Sequence, residues 1–277
     1  MSWFVAIFLG FVQGVTEFVP VSSSGHLAIF QNLGMVNIHE RHLFFDVLLH
    51  MGTLVAIYIV YRKDIHEMIR AVIAMIVPAK KGDAPVERLK GRLAFMLLIA
   101  TAPLVLIIPF RNLIEALGHQ IWFVGIMLLV TGGILYFSDK LAKGKRDEKS
   151  MTVKNAVAIG LFQCIATIPG ISRSGTTITG GLMAGFDRGF AVRFSFLLSI
   201  PAILGANIVV LFSSLGDVDW SLLPRYLVGV VVATVTGYFA IRLVKLLVDA
   251  GKFGKFAYYC WGAGAFAIIL SIVLAFF

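Results

Sequence analysis

The stretch FVQGVTEFVPVSSSGHLAIF, residues 11–30, begins as an apolar segment and then breaks. Residues 3–19 are almost all apolar, but Glu17 lies among them, Pro20 follows, and three serines, a glycine and His26 come next. A proline cannot continue the helix before it, whereas serine and glycine favour the start of another helix. The stretch therefore predicts a helix that is interrupted inside an apolar region.

The composition of the whole chain predicts a membrane protein. Of the 277 residues, 59% are hydrophobic and 14% are charged, whereas soluble domains average about 25% charged residues. The two cysteines are too few for a disulfide framework and form no CxxC motif that would indicate zinc. Six apolar segments have close to the ~20 residues that a bilayer requires. These segments are residues 44–61, 92–110, 120–138, 191–213, 224–244 and 256–276. We therefore expect an all-α polytopic membrane protein that forms one domain over residues 1–277.

The net charge of +9 predicts a topology rather than a nucleic-acid partner. Most lysines and arginines lie in three connections, residues 62–91, 139–154 and 245–255, and the first of these includes Lys80 and Lys81. Lysine and arginine in short loops mark the cytoplasmic side of a membrane protein. We therefore expect these three connections on the cytoplasmic face and no nucleic acid as a partner.

Two apolar regions, residues 1–34 and 152–188, are interrupted in the middle and are not simple spans. If both are re-entrant hairpins, all three basic connections fall on one face and both termini lie outside. If the second region crosses the membrane instead, the 245–255 connection falls on the opposite face, against the charge rule. The charges thus favour a hairpin in the second region and leave the first undecided.

An internal repeat relates the two interrupted regions. Shifted by 150 residues, the opening stretch meets GLFQCIATIPGISRSGTTI, residues 160–178, with Pro20 one place from Pro169. The matched pairs are Gly10 and Gly160, Gln13 and Gln163, Ser22 and Ser172, Ser24 and Ser174, and Gly25 and Gly175. Each half, about 1–138 and 152–277, would be one hairpin plus three spans. Because three is odd, the second half is predicted to be inverted, with the broken helices meeting near the midplane to build a site.

The two breaks predict an anion site. A helix start presents free N–H groups and a partial positive charge, and Arg173 adds a guanidinium that binds phosphate with paired donors. The hydroxyls expected to contact phosphate are those of Ser22, Ser24, Ser172, Ser174 and Thr177. The alternative is that these hydroxyls only satisfy backbone groups, as they often do in membranes.

The reactive side chains nearest the first break are Glu17, Ser23 and His26. Two structural alternatives stay open, namely that Glu17 only pairs with Arg173 and that His26 only caps a helix. In a supporting layer, Gln13 and Gln163 are expected to bond across the hairpins. Asp46 and His50, at i, i+4 spacing, are a structural or a catalytic pair. Residues 64–77 are predicted to form a short surface helix, and aromatic residues near segment ends are predicted interface anchors.

These motifs closely resemble the bacitracin-resistance (UppP/BacA) family of undecaprenyl-diphosphate phosphatases. The likeness lies in QGVTE before PVSSSGH, in PGISRSGTT, and in the FDVLLHMGT and RFSFLLSIP pieces, and it covers essentially the whole chain. It implies hydrolysis of undecaprenyl diphosphate to the monophosphate carrier used in cell-wall synthesis, and thereby bacitracin resistance. It also implies Mg²⁺ or Ca²⁺ dependence and a bacterial inner membrane location, with the active site opening to the outer, periplasmic face. By matching positions, Glu17, His26 and Arg173 would be essential, with Ser23 beside them.

The expected roles follow from the needs of phosphoryl transfer, which requires charge neutralisation and an in-line nucleophile. Arg173 would bind phosphate oxygens, His26 would be nucleophile or base, and Ser23 would be the competing nucleophile. Glu17 would be a metal ligand or proton carrier. Because many relatives have glutamate where this chain has Gln13, any metal is expected to arrive mainly on the diphosphate. The sequence leaves phosphohistidine, phosphoserine and direct attack by water as open alternatives.

A rival class is a lipid-phosphate transporter or flippase, because inverted repeats with broken helices are also a transporter architecture. A transporter needs a binding site but no nucleophile and base, so the Ser, His and Glu cluster favours hydrolysis. The expected partners are an isoprenoid diphosphate lipid and membrane lipids, and a homodimer stays an open alternative.

Overall fold

The structure is a computed structural model, and it describes residues 1–33, 43–76, 88–214 and 219–276. The described residues form eleven α-helices joined by short 3₁₀ helices and turns. The α-helices are α1 Trp3–Phe18, α2 Ser23–Asn32, α3 Leu43–Ile76, α4 Arg88–Thr101, α5 Arg111–Gly118, α6 Ile121–Leu141, α7 Val153–Ile165, α8 Arg173–Met183, α9 Arg188–Ser214, α10 Leu223–Asp249 and α11 Phe256–Phe276. The basic residues Lys80 and Lys81 lie outside the described residues.

Six helical runs among the described residues are long and apolar enough to cross a membrane, which confirms the predicted all-α, six-span arrangement. They are Phe44–Met75, Leu89–Gly118, Ile121–Leu141, Arg188–Ile208, Trp220–Asp249 and Phe253–Phe276. Large apolar side chains on these helices stay exposed, for example Val231 and Phe239 on α10. A surface of this kind suits the acyl chains of a bilayer.

Two spans are not single regular helices. The segment predicted as a short surface helix, residues 64–77, is helical over its described residues 64–76 and follows a kink at Tyr61, where φ is −109° and ψ is 21°. The second span passes from α4 into a 3₁₀ helix, Ala102–Phe110, and then into α5. Pro103 and Pro109 each remove an N–H donor from this stretch, which disfavours a regular α-helix there.

Both interrupted regions form a pair of helices separated by a break. Helix α1 ends at Phe18, and Val19 is extended with ψ of 132°, as expected for a residue just before Pro20. Ser22 then has φ of 67°, in the left-handed region, before α2 begins. Helix α7 ends at Ile165, and the second break contains Gly170 with φ of 95° before α8 begins.

Helix packing brings elements from the two halves of the chain together. Helix α1 packs on α10, α7 packs on α4, α6 packs on α11, and α3 packs on both α9 and α10. Close approach depends on glycine, because a Cβ at Gly10 of α1 would clash with the main chain of Gly229 in α10. A Cβ at Gly160 of α7 would clash in the same way with the main chain of Ala100 in α4.

The three basic connections meet at one end of the helices. Lys90, from the first connection, lies 3.7 Å from the carboxylate of Glu148 in the second. Asp139, at the start of the second, accepts a hydrogen bond of 2.7 Å from the main-chain N–H of Gly254 in the third. These contacts place the described parts of the three connections on a common face.

Candidate active site

The two breaks lie against each other. An ideal Cβ at Gly25 would be 3.5 Å from the Cα of Gly170, and an ideal Cβ at Gly175 would be 3.1 Å from the Cβ of Pro20. The main-chain N–H of Gly170 also donates to Ser24 Oγ at 3.5 Å. Gly25 and Gly175 are related by the 150-residue shift, and so are Pro20 and Gly170. The two contacts are therefore equivalent by repeat position.

Both helix starts are capped in the same way. Ser22 Oγ accepts from the N–H of Gly25 at 3.2 Å, and Ser172 Oγ accepts from the N–H of Gly175 at 3.2 Å. Ser24 Oγ lies 3.2 Å from Ser22 Oγ, and the Ser174 and Ser172 hydroxyls are 3.3 Å apart. These four serines hold the helix starts in place, which offsets part of the cost of the left-handed backbone at Ser22.

An ion pair joins the helix before the first break to the helix after the second. Arg173, the first residue of α8, donates from Nη2 to Glu17 Oε1 and from Nη1 to Ser199 Oγ. The other carboxylate oxygen of Glu17 accepts from Gln13 Nε2 at 2.9 Å and lies 3.9 Å from His50 Nε2. Glu17 is only 8% exposed, so this pair is largely withdrawn from water.

His26 has partners other than this ion pair. Its Nδ1 lies 2.8 Å from the main-chain oxygen of Ser22, and its Nε2 lies 2.7 Å from the hydroxyl of Tyr259. A carbonyl only accepts, so Nδ1 carries the proton in the neutral ring, and Nε2 accepts from the tyrosine O–H. His26 thus lies at the start of α2, just after the first break, and its two nitrogens contact Ser22 and Tyr259 rather than the ion pair.

The remaining predicted residues lie around these groups. Thr177 Oγ1 donates to the main-chain oxygen of Arg173 at 2.8 Å and lies 2.5 Å from Ser195 Oγ, so it faces α9. Gln163 donates to the main-chain oxygen of Ala100 at 3.4 Å and does not share the role of its repeat counterpart Gln13. These contacts turn both side chains toward neighbouring helices.

In the predicted pair of Asp46 and His50, the imidazole of His50 contacts the main-chain oxygen of Asp46. His50 Nδ1 lies 2.8 Å from the backbone oxygen of Asp46. His50 therefore keeps Nδ1 on its own helix and directs Nε2 toward Glu17.

Sequence reasoning missed three residues of the site. Ser199 holds the guanidinium of Arg173, and its spacing of four from Ser195 in an apolar run was a usable signal. Tyr259, predicted as an interface anchor, contacts His26 instead. Thr131 donates to the oxygen of Gly170 at 2.9 Å and accepts from the N–H of residue 172 at 3.2 Å, but a single threonine in a span gave no signal.

The described residues do not form a protein cage for a divalent cation. Within them, no group of three or more His, Cys, Asp and Glu side chains could hold a metal ion. Both oxygens of Glu17 already accept hydrogen bonds, from Arg173 and from Gln13. The donor set therefore does not fit a resident Mg²⁺ or Ca²⁺, which prefer several oxygen ligands.

Fold and site together define a multi-pass membrane protein with a buried carboxylate and arginine between two helix starts, a setting suited to a phosphate group. The chain belongs to the bacitracin resistance protein BacA family, which it matches over residues 6–266. The family resemblance inferred from the motifs is confirmed.

Relatives match the chain from end to end. It is 43% identical to the undecaprenyl-diphosphatase of Alkaliphilus metalliredigens, over 99% of this chain and 100% of the relative. It is 40% identical to the undecaprenyl-diphosphatase of Halothermothrix orenii, over 98% of this chain and 99% of the relative. Identity to the undecaprenyl-diphosphatase of Methanosphaera stadtmanae is also 40%, over 97% and 98% of the two chains.

Proposed function

We propose that this protein hydrolyses undecaprenyl diphosphate to undecaprenyl phosphate and inorganic phosphate. Full-length relatives at 40–43% identity carry the name undecaprenyl-diphosphatase. The observation that carries the proposal is the contact of Arg173 with Glu17 across two helix starts that face each other. Regenerating the monophosphate carrier would serve cell-wall synthesis and would confer resistance to bacitracin.

We assign phosphate binding to Arg173 and to the two helix starts. A guanidinium has five N–H donors, and Arg173 uses one for Glu17 and one for Ser199. The donors that remain can bind phosphate oxygens while the pair with Glu17 stays intact. Glu17 then fixes the direction of the guanidinium, and the partial positive charges of α2 and α8 add to its field.

We assign Ser23 as the nucleophile. Ser22 and Ser24 are engaged in the cap of α2, whereas no described hydrogen bond ties down the half-buried Ser23 hydroxyl. His26 follows at i+3 on the same face of α2 and is assigned as the base. The Ser23 proton would pass to His26 Nε2 after Tyr259 gives up that nitrogen. The oxygen would attack the terminal phosphorus, and the bond to the bridging oxygen would break.

The leaving group in this scheme is undecaprenyl phosphate, and water then releases inorganic phosphate from the serine. We propose that Mg²⁺ or Ca²⁺ reaches the site bound mainly to the diphosphate of the substrate. This follows from the donor set, because Glu17 is a lone carboxylate whose oxygens already have partners.

We further propose that α1–α2 and α7–α8 are re-entrant hairpins of an inverted repeat, about 1–138 and 152–277. Support comes from the equivalent contacts at the two breaks and from the reciprocal packing of α1 on α10 and of α7 on α4. The common face of the three basic connections supports it as well. The site would then open to the periplasmic face of a bacterial inner membrane, and both termini would lie on that side.

The deciding measurement is inorganic phosphate released from an isoprenyl diphosphate by the purified protein in detergent. Arg173→Ala, His26→Ala and Glu17→Ala should each lower the rate by orders of magnitude. Arg242→Ala, at an exposed position of α10, is the matched control and should retain the wild-type rate. Near wild-type turnover in all three site variants would reject the site. A wild type that moves the lipid across vesicles without releasing phosphate would favour the transporter class.

The topology has its own test. Lys145→Cys introduces a thiol in the second basic connection of a chain whose own cysteines are Cys164 and Cys260. An impermeant thiol reagent should leave it unlabelled in intact cells and label it after lysis. Labelling in intact cells would overturn the proposed orientation.

A further inference from the structure

One buried polar residue interrupts the apolar face that α6 turns toward both breaks. An ideal Cβ at Gly25 would lie 3.3 Å from Leu128 Cδ2, and an ideal Cβ at Gly175 would lie 3.0 Å from Leu135 Cδ2. Both leucines are fully buried, and Thr131, which lies between them on the same face, is 1% exposed. A hydroxyl at such a position has little contact with water and therefore needs partners in the protein.

Both partners of Thr131 are main-chain groups of the second break. Its Oγ1 donates to the oxygen of Gly170 at 2.9 Å and accepts from the N–H of Ser172 at 3.2 Å. One hydroxyl thus holds both the residue with positive φ and the N-cap of α8. Gly170 and Ser172 are buried as well, so water does not readily take the place of the hydroxyl. Thr131 therefore fixes the backbone that leads into α8.

The first break has only a weaker contact at the equivalent position. Pro20 occupies the repeat position of Gly170, and its main-chain oxygen accepts from the thiol of Cys260 in α11 at 3.5 Å. A thiol is a weak donor. Among the described residues, no group accepts from the main-chain N–H of Ser22, the repeat counterpart of Ser172. The contact through two hydrogen bonds is therefore particular to the break that leads to Arg173.

The helix start that Thr131 holds has donors that are not used within the protein. Ser172 Oγ accepts from the N–H of Gly175, and the main-chain oxygen of Ser172 accepts from the N–H of Thr176. Within the described parts of the chain, the main-chain N–H groups of Arg173 and Ser174 have no acceptor. These two groups and the remaining guanidinium donors of Arg173 belong to the first turn of α8, where an anion is favoured.

We propose that Thr131 is a positioning residue for phosphate binding. By fixing Ser172, it keeps the N–H groups of residues 173 and 174 and the guanidinium of Arg173 in the geometry that binds the terminal phosphate. The inference rests on the function proposed above and adds a residue that acts without touching the substrate. Loss of the hydroxyl would let the start of α8 shift, and a small displacement of binding groups should weaken phosphate binding about tenfold.

The test measures phosphate binding and turnover of the purified protein in detergent. Inorganic phosphate is titrated at constant ionic strength, and its Kd is read from the saturable rise in apparent Tm. Thr131→Val removes the hydroxyl with little change in shape, and it should raise the Kd of phosphate about tenfold. The KM for an isoprenyl diphosphate should rise by a similar factor, with a smaller fall in kcat, because the lost binding is shared by substrate and transition state. Thr131→Ser returns the hydroxyl and should recover most of the affinity.

Two further variants support the comparison. Ser138→Ala is the matched control, because Ser138 lies two turns along the same face of α6, is fully buried and donates to the oxygen of Leu135 in its own helix at 2.6 Å. Its loss should change neither the Kd of phosphate nor the KM. If Thr131→Val does not fold, Thr131→Cys replaces it, since a thiol is only a weak donor and a weak acceptor. Thr131→Cys should bind phosphate more weakly than Thr131→Ser.

Three results would overturn the proposal. An unchanged phosphate Kd in folded Thr131→Val, even with a lower Tm, would mean that Thr131 only stabilises the fold. Equal affinities of Thr131→Cys and Thr131→Ser would mean the same. A wild type whose Tm does not respond to phosphate would show that this helix start is not a phosphate site. Failure of the proposed hydrolysis looks different, because the wild type would then bind phosphate in a Thr131-dependent way without releasing it from a lipid diphosphate.

Discussion

Arg173→Ala should lower both the stability of the protein and its rate of phosphate release. Adding Glu17→Gln should restore part of the stability but not the rate. In Arg173→Ala, Glu17 keeps its hydrogen bond from Gln13 at 2.9 Å and the neighbouring His50 at 3.9 Å. Its carboxylate loses the permanent positive charge of Arg173. Because Glu17 is 8% exposed, water does not readily replace that charge.

The expected cost is that of an unpaired buried charge. Breaking a buried ion pair by removing one partner costs about 3–5 kcal/mol, and Gln13 and His50 should hold the loss near about 3 kcal/mol. Adding Glu17→Gln removes the stranded charge and should recover about 2 kcal/mol, a coupling typical of residues in direct contact. Phosphate release should fall about 10³-fold in Arg173→Ala and should stay low in the double variant.

The assay is a double-mutant cycle on protein in detergent, with apparent Tm read by intrinsic fluorescence and turnover read as phosphate release. Glu17→Gln alone serves as the matched control for the loss of the carboxylate. Additive shifts in Tm would refute a buried pair between these residues. Recovery of turnover together with Tm would show that Arg173 acts only on the fold.

Three further predictions address the breaks and the groups that sequence reasoning missed. Gly170→Ala should lower the apparent Tm, because φ is 95° and a Cβ would lie 2.6 Å from a main-chain oxygen, a strain of about 1–3 kcal/mol. Gly133→Ala, with no atom within 4 Å of its Cβ, should keep or raise it. Ser199→Ala removes a hydrogen bond from the guanidinium and should lower turnover about tenfold. Tyr259→Phe removes the O–H that must leave His26 Nε2 before that nitrogen can accept a proton, and it should therefore keep or raise turnover.

For each of these three variants, a different result would contradict the prediction. An unchanged Tm in Gly170→Ala would mean that the second break does not need a left-handed residue. Ser199→Thr, which keeps the hydroxyl, should retain more activity than Ser199→Ala, and equal losses would reject the hydrogen bond as the cause. A tenfold loss of turnover in Tyr259→Phe would mean that the tyrosine orients the base rather than only occupies its nitrogen.

Much of the fold follows from signals that are local in the sequence. Apolar runs predicted six spans, because a bilayer fixes the length of a spanning helix and leaves backbone groups no partner but each other. Pro20 predicted the first break because it cannot extend a helix, and Ser22 predicted the next helix start. The helix predicted over 64–77 is present over its described residues 64–76, and the kink at Tyr61 separates it from the apolar part of α3.

The partners within the site were not local signals. Glu17 and Arg173 are 156 residues apart, and His26 and Tyr259 are 233 apart, so helix rotation decides whether they meet. The internal repeat does not predict these partners either, because Gln13 donates to Glu17 whereas its repeat counterpart Gln163 donates to a main-chain oxygen of α4. Equal positions in the repeat thus acquired different neighbours.

The membrane class can be read from the sequence alone, and so can the six spans, the two broken helices and the chemical groups gathered at the breaks. Those features depend on helix propensity, hydrophobicity and residue type, which act over a few turns of chain. The sequence did not specify that Ser199 would contact the guanidinium of Arg173 or that Tyr259 would contact the imidazole of His26. Such choices depend on which face each helix turns to its neighbours, and close packing between distant segments sets that rotation.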